Sequence, residues 1–203
     1  MTNGITLQIF SDPGSALSKE MIDFAQSLRS SRPSLTIDIQ DSQGGTNEYL
    51  KSLRIEYWPC IVLKKDDFTR IRYYGVPTGF ETSPFTDAID ELSASDTKLS
   101  ENSKTALSNV RRRANIKVFI LTTCTFCPVM ARYAYRAAIE SPRISAEVID
   151  SSIFTEWAQK HLVMGVPKVI LNDNTDITGA VREEEFIEKL RDADYALIDS
   201  MYG

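Results

Sequence analysis

Among the features of this 203-residue chain, the one that most constrains its fold is a pattern of apolar spacing that occurs twice. Ile5 to Phe10 alternates apolar and polar residues, the period of a strand. Leu17, Met21, Phe24, Ala25 and Leu28 follow at helical spacing. Leu35 to Ile39 predicts a second strand and Thr46 to Leu53 a short helix. Cys60 to Leu63 and Ile71 to Tyr74 predict strands about a charged turn, and Phe85, Ile89 and Leu92 mark a closing helix. The second half repeats this order. Strands are predicted at Lys117 to Leu121, Ile144 to Ile149, Val169 to Leu171 and Ile177 to Gly179. Helices are predicted at Pro128 to Ile139 and Phe154 to Leu162, with a last one carrying Phe186, Ile187 and Leu190.

An order β-α-β-α-β-β-α in each half predicts a right-handed βαβ crossover followed by a hairpin. The expected architecture is α/β: two tandem units, each a four-stranded mixed sheet flanked by helices. The first unit is expected over residues 1–95 and the second over 115–203. Residues 96–114 are read as a linker helix, amphipathic through Leu99, Ala106, Leu107 and Val110. At 42% hydrophobic and 25% charged residues, the chain has the material for real cores and is not a disordered one. Its formal charge of −5 argues against a nucleic-acid partner. No apolar run approaches the ~18 residues of a membrane span. The N-terminus lacks a basic region followed by an apolar one, so a cytoplasmic protein with no membrane partner is expected.

Three cysteines are too few for a disulfide-stapled secreted scaffold. Two of them form Cys124-Thr125-Phe126-Cys127, between a predicted strand and a predicted helix. Residues three apart at a helix start bring their sulfurs within disulfide reach. Unpaired N–H groups and the positive helix end favour a thiolate there by up to ~2 kcal/mol. Pro128 suits the first helical turn, which needs no internal N–H donor. Two further readings stay open at this point. The pair is half of a metal site, with Cys60 and His161 as remaining ligands, or it is structural. In Val166-Pro167, a cis bond would turn the Val166 backbone toward the dithiol, to pair with an extended substrate segment. A proline that starts an edge strand is the plainer alternative.

Taken together, these residues resemble the tandem thioredoxin-fold protein disulfide oxidoreductases, also called glutaredoxin-like, of archaea and thermophilic bacteria. The resemblance is carried by Thr122 to Pro128, Thr155 to Ala158, Val163 to Lys168 and Ile71 to Gly79. It implies Cys124 as nucleophile, Cys127 as resolving thiol and a cis Pro167. Beside the resemblance, Val166, Pro167 and Phe126 are expected to meet the substrate, with Phe126 shielding the disulfide or contacting the client. It implies no metal and no organic cofactor. The implied partners are disulfide-containing proteins and a thioredoxin-reductase-type flavoprotein. One departure stands out. An offset of 111 residues aligns Pro13 with Cys124 and Ala16 with Cys127, so the first unit has no thiol there. It keeps a proline loop, Tyr57-Trp58-Pro59-Cys60. A silent first unit before a working second one also resembles the N-terminal region of the flavin-dependent component of alkyl hydroperoxide reductase. That resemblance implies electron delivery to a peroxiredoxin. A metal-holding or partner-docking module is the alternative of another class.

Other residues read more plainly. Cys60 is expected to be a buried structural thiol, and Trp58 to pack or to dock a peptide. Lys168 is read as a solvated strand lysine rather than a charge beside Cys124. His161 is expected to face water. Arg111-Arg112-Arg113 is read as a solvated helix end.

Overall fold

The structure is a computed structural model that describes residues 4–41 and 47–202, apart from the side chains of Asn47 and of residues 194–202. Thr46, the expected start of the second helix, and the first three residues of the N-terminus lie outside the described residues. The chain forms β1 (Thr6–Ser11), α1 (Ala16–Ser31), β2 (Thr36–Asp41), α2 (Asn47–Ser52), β3 (Cys60–Lys65), β4 (Phe68–Tyr74) and α3 (Thr82–Ala94). A short helix, α4 (Glu101–Ser108), leads to β5 (Ala114–Ile120), α5 (Cys127–Glu140), β6 (Ile144–Asp150), α6 (Thr155–Lys160), β7 (Lys168–Leu171), β8 (Thr175–Thr178) and α7 (Glu183–Tyr202). A single 3-10 turn, Gly79–Glu81, precedes α3.

The expected strand pairing is present in both halves. β1 runs parallel to β2 and antiparallel to β3, which pairs with β4. β5 likewise runs parallel to β6 and antiparallel to β7, which pairs with β8. Periodicity did not convey that the halves fuse. β4 pairs in parallel with β6, giving one eight-stranded sheet in the order β2-β1-β3-β4-β6-β5-β7-β8. Two strands that would each present an unpaired edge thus cover one another.

The inner strands of the sheet are largely buried on both faces, unlike the edge strands β2 and β8, and their alternation sorts the core into two clusters. Ile9, Ile61, Tyr73, Val118 and Val169 face one side, with Met21 of α1, Phe85 of α3, Leu107 of α4, Ala134 of α5 and Phe186 of α7. Phe10, Val62, Tyr74, Phe119 and Ile170 face the other side, with Leu50 of α2 and Trp157 of α6. Tyr57, from the loop before β3, stacks on Trp157 of α6 with centroids 4.4 Å apart. The linker is packed rather than loose. Leu99 and Val110 lie outside α4, yet both are buried with Leu107.

Polar groups also cross the seam. Arg72 and Glu147 are register partners on β4 and β6, and the Arg72 Nε donates to Glu147 at 2.9 Å in a fully buried pair. Arg136 of α5 donates through Nε and Nη2 to both oxygens of Glu91 on α3, at 2.8 to 3.1 Å.

Candidate functional site

α5 starts at Cys127, one residue before the predicted start, and Pro128 occupies its first turn. Phe126, at the cap position, makes no side-chain capping bond. The sulfur of Cys124 takes that place: the Cys127 N–H donates to Cys124 Sγ at 3.2 Å. The turn itself is closed by the Cys124 N–H donating to the Leu121 carbonyl at 2.9 Å. A donor held against a sulfur is a partner suited to negative charge. Cys124 is half-buried, whereas Cys127 is fully buried, and both are free thiols. Burial pushes the Cys127 thiol up, and its contact with Cys124 adds to that shift.

Both Val166-Pro167 and Trp58-Pro59 are cis. The Val166 carbonyl oxygen lies 4.0 Å from Cys124 Sγ, so the proline loop and the dithiol are brought together. Pro167 is buried and Val166 half-buried. The segments that meet at the site expose large apolar side chains alongside Thr123 and Thr125. Phe126 is 66% exposed and Met164 96%. Phe80 is 51% exposed, and its N–H donates to the Thr122 carbonyl at 2.9 Å.

That last bond belongs to a contact that reading each half separately does not reveal. The turn Gly79–Glu81, from the first half, docks against the loop that carries Cys124. Gly79 has φ +58°, and a Cβ there would lie 2.5 Å from the Thr122 carbonyl oxygen. Only glycine suits both the left-handed backbone and the close approach. Two residues on, Glu81 is fully buried, and neither carboxylate oxygen has a hydrogen-bond partner among the described residues. Desolvation raises its pKa to about 7, against the pull of Arg132, and Asp150 pushes it further up. Its charge reaches Cys127, Tyr73 and Tyr135, all of which burial pushes up. The sequence reading missed Glu81: an acid at a helix start is ordinary and carries no signal of burial.

The corresponding turn in the first half has no thiol. α1 starts at Ala16, which the 111-residue offset aligns with Cys127. Its cap is the Ser15 hydroxyl, which accepts the Ser18 N–H at 3.4 Å.

Other sequence candidates lie elsewhere. Cys60 is buried in the cluster on the sheet face opposite Cys127, beside Tyr74, and burial pushes its thiol up. His161 does not face open water. It ends α6 half-buried, its ring 5.3 Å from that of Phe119, and desolvation and then Lys117 lower its pKa. Neither joins the dithiol as a ligand, and among the described residues no cluster of three or more His, Cys, Asp or Glu gathers. Lys168 is not solvated. It is buried, donates to the carbonyls of His161 and Leu162 at 2.9 and 3.2 Å, and pairs with Asp176 at 2.8 Å. Trp58 is 38% exposed. Arg111 to Arg113 follow α4 rather than ending it. Among the described residues no helix is long and apolar enough to cross a membrane.

Comparison with known proteins bears on the fold and the family. Residues 114–192 match the model of the thioredoxin domain. A protein named "Probable Thioredoxin" from Methanothermobacter thermautotrophicus is 33% identical over 79 residues, which cover 38% of this chain and 93% of that protein. A protein named NADH dehydrogenase from Ferdinandcohnia aciditolerans is 25% identical over 122 residues, 60% of this chain. The aligned region spans only 24% of that relative's length, and the same share of its Bacillus subtilis counterpart. Among solved structures, a domain of the alkylhydroperoxide reductase AhpF from Enterococcus faecalis superimposes with TM-score 0.87 at 25% identity, covering 92% of this chain and 90% of that one. A protein disulfide oxidoreductase from Aeropyrum pernix superimposes with TM-score 0.86 over 96% of this chain and 87% of that one. At 21% identity, the second likeness speaks to fold alone.

Proposed function

The chain belongs to the thioredoxin family through its second half, and from that premise we propose that it is a thiol–disulfide oxidoreductase acting on protein disulfides through Cys124 and Cys127. The observation that carries this reading is the division of labour in the pair. One sulfur is accessible and held by a helix-start N–H, and the other is buried three residues on.

The Cys124 thiolate attacks one sulfur of a client disulfide. The client S–S bond breaks, one client thiolate leaves, and a mixed disulfide forms. Cys127 then loses its proton, with the Glu81 carboxylate as its base through one intervening water, and attacks Cys124 Sγ. The second client thiolate departs. The client has gained two electrons, and their loss joins Cys124 and Cys127 in a disulfide. A group with pKa about 7 takes and returns a proton near neutrality, which suits Glu81 to this role. Val166 offers its backbone to an extended client segment, beside Pro167, and Phe126 covers the reacting sulfurs. Exposed Phe80, Phe126 and Met164 favour a protein client over a small disulfide. A thioredoxin-reductase-type flavoprotein regenerates the dithiol. No metal or organic cofactor takes part.

In this reading residues 1–95 form a unit without a dithiol, 96–114 link, and 115–203 form the redox unit. The protein works in the cytoplasm. Insulin reduction tests the proposal: Cys124→Ser abolishes it, Cys127→Ser traps mixed disulfides, and Cys60→Ser leaves it nearly unchanged. Full activity in Cys124→Ser rejects it.

A second reading is favoured by the likeness, across both halves, to the alkylhydroperoxide reductase domain: electron delivery to a peroxiredoxin. It predicts faster turnover with a peroxiredoxin than with insulin.

A further inference from the structure

A second site lies at the far end of the sheet. A cavity of about 500 Å³ opens where β4, β5 and β6 begin, next to the β7–β8 turn. β5 runs from Ala114 at this cavity to Ile120 below the dithiol loop, a separation of about 20 Å at strand rise. Five arginines line it: Arg54, Arg70, Arg72, Arg113 and Arg143. The acids among its lining residues are Asp67 and Asp173, and Asp173 is taken by Lys117.

The arginines are not a random solvated cluster. Arg70 is fixed by two bonds to the Ala138 carbonyl, at 3.3 and 3.0 Å, and lies over the Phe68 ring at 4.3 Å. Arg143 donates to the Arg111 carbonyl at 2.8 Å. Arg72 is only 3% exposed, and Glu147 occupies its Nε, yet its Nη2 has no partner among the described residues. The Nδ2 of Asn172, another lining residue, is also buried without a partner there. The Oδ1 of Asn115, also in the lining, is a buried acceptor without a partner there, so two unmet donors stand against one unmet acceptor; with five arginines around them, the balance favours an anionic ligand rich in oxygen.

We infer that this cavity is a binding site for a phosphate chain of two or more phosphoryl groups, free or carried by a nucleotide. Guanidinium forks match phosphate oxygens two at a time, and held forks lose little freedom on binding. The volume admits a group of nucleotide size. The site is independent of the thiol chemistry, so its test does not depend on the outcome there.

Calorimetric titration of the whole protein at physiological ionic strength tests it, with inorganic tripolyphosphate and ADP as separate probes. Saturable binding at one site per chain is expected. Arg113→Gln/Arg143→Gln removes two exposed forks and weakens binding about tenfold or more. Asn172→Asp keeps the oxygen that accepts the Asn115 N–H, tolerates the φ of +52°, and replaces the unpartnered donor with an anion. It weakens binding at least as much, with circular dichroism and insulin reduction unchanged. Tighter binding of tripolyphosphate identifies a free chain, and tighter binding of ADP a nucleotide. Absence of saturable binding by either probe overturns the inference. So does affinity unchanged in the double variant, or equal displacement by sulfate at matched ionic strength.

Discussion

The Phe80 N–H donates to the Thr122 carbonyl at 2.9 Å, and this bond ties a turn of the first half to the loop that carries Cys124. The half without a dithiol therefore supplies a wall of the site. The next residue, Glu81, brings a buried carboxylate within electrostatic reach of Cys127. The lack of thiols at the turn around Pro13 does not make the first half a spectator.

Glu81→Gln keeps shape but cannot accept a proton. We expect attack by Cys124 to be unchanged and resolution by Cys127 to slow about 100-fold, the scale of a general base. Single-turnover kinetics with a fluorescent protein disulfide separates the two steps. Equal slowing of both would assign Glu81 a structural role.

The same residue sets a slope of stability against pH. Its pKa rises from 4.5 to about 7 on folding, so between those values the unfolded chain binds fewer protons than the folded one. The stabilisation is full below pH 4.5 and is lost as pH rises through about 7. It amounts to about 3 kcal/mol over that window. Urea unfolding of wild type should show this decline, and Glu81→Gln should flatten it.

Gly79→Ala places a Cβ 2.5 Å from the Thr122 oxygen at a left-handed backbone position. A loss of about 1–3 kcal/mol is expected, measured by urea unfolding. Insulin reduction should fall as well, because the displaced loop carries Cys124.

Arg72 and Glu147 form a buried ion pair across the β4–β6 seam. Arg72→Met alone leaves Glu147 buried and unpaired, at a cost of about 3–5 kcal/mol. Arg72→Met/Glu147→Leu removes both charges and should recover most of that loss in the same unfolding assay.

The Met164 side chain is almost wholly exposed beside the proline loop. Met164→Asp should raise KM for insulin about five- to tenfold, leaving kcat and reduction of a small aromatic disulfide unchanged. Equal effects on both substrates would remove the apolar rim from client recognition.

Much of this was legible in the sequence for a local reason. Strand and helix periods survive in the apolar residues, so the duplicated order was readable. The Cys124–Cys127 spacing at a strand–helix junction marked the dithiol. What escaped depends on contacts between distant segments. Alternation within β4 gives no partner for Arg72 until Glu147 is brought beside it on β6. His161 read as a surface residue because the Phe119 ring beside it comes from β5, whereas Lys168 is held by the carbonyls of His161 and Leu162, a local turn that residue type alone does not announce. Nothing in the sequence marked Glu81, since its burial arises only where the two halves meet.

The central claim is that Cys124 is the attacking sulfur. Mass spectrometry of Cys127→Ser after reaction with a protein disulfide, without reductant, tests it most directly. The account predicts a stable mixed disulfide at residue 124 and none at residue 60. An adduct at Cys60, or no adduct at all, would contradict it.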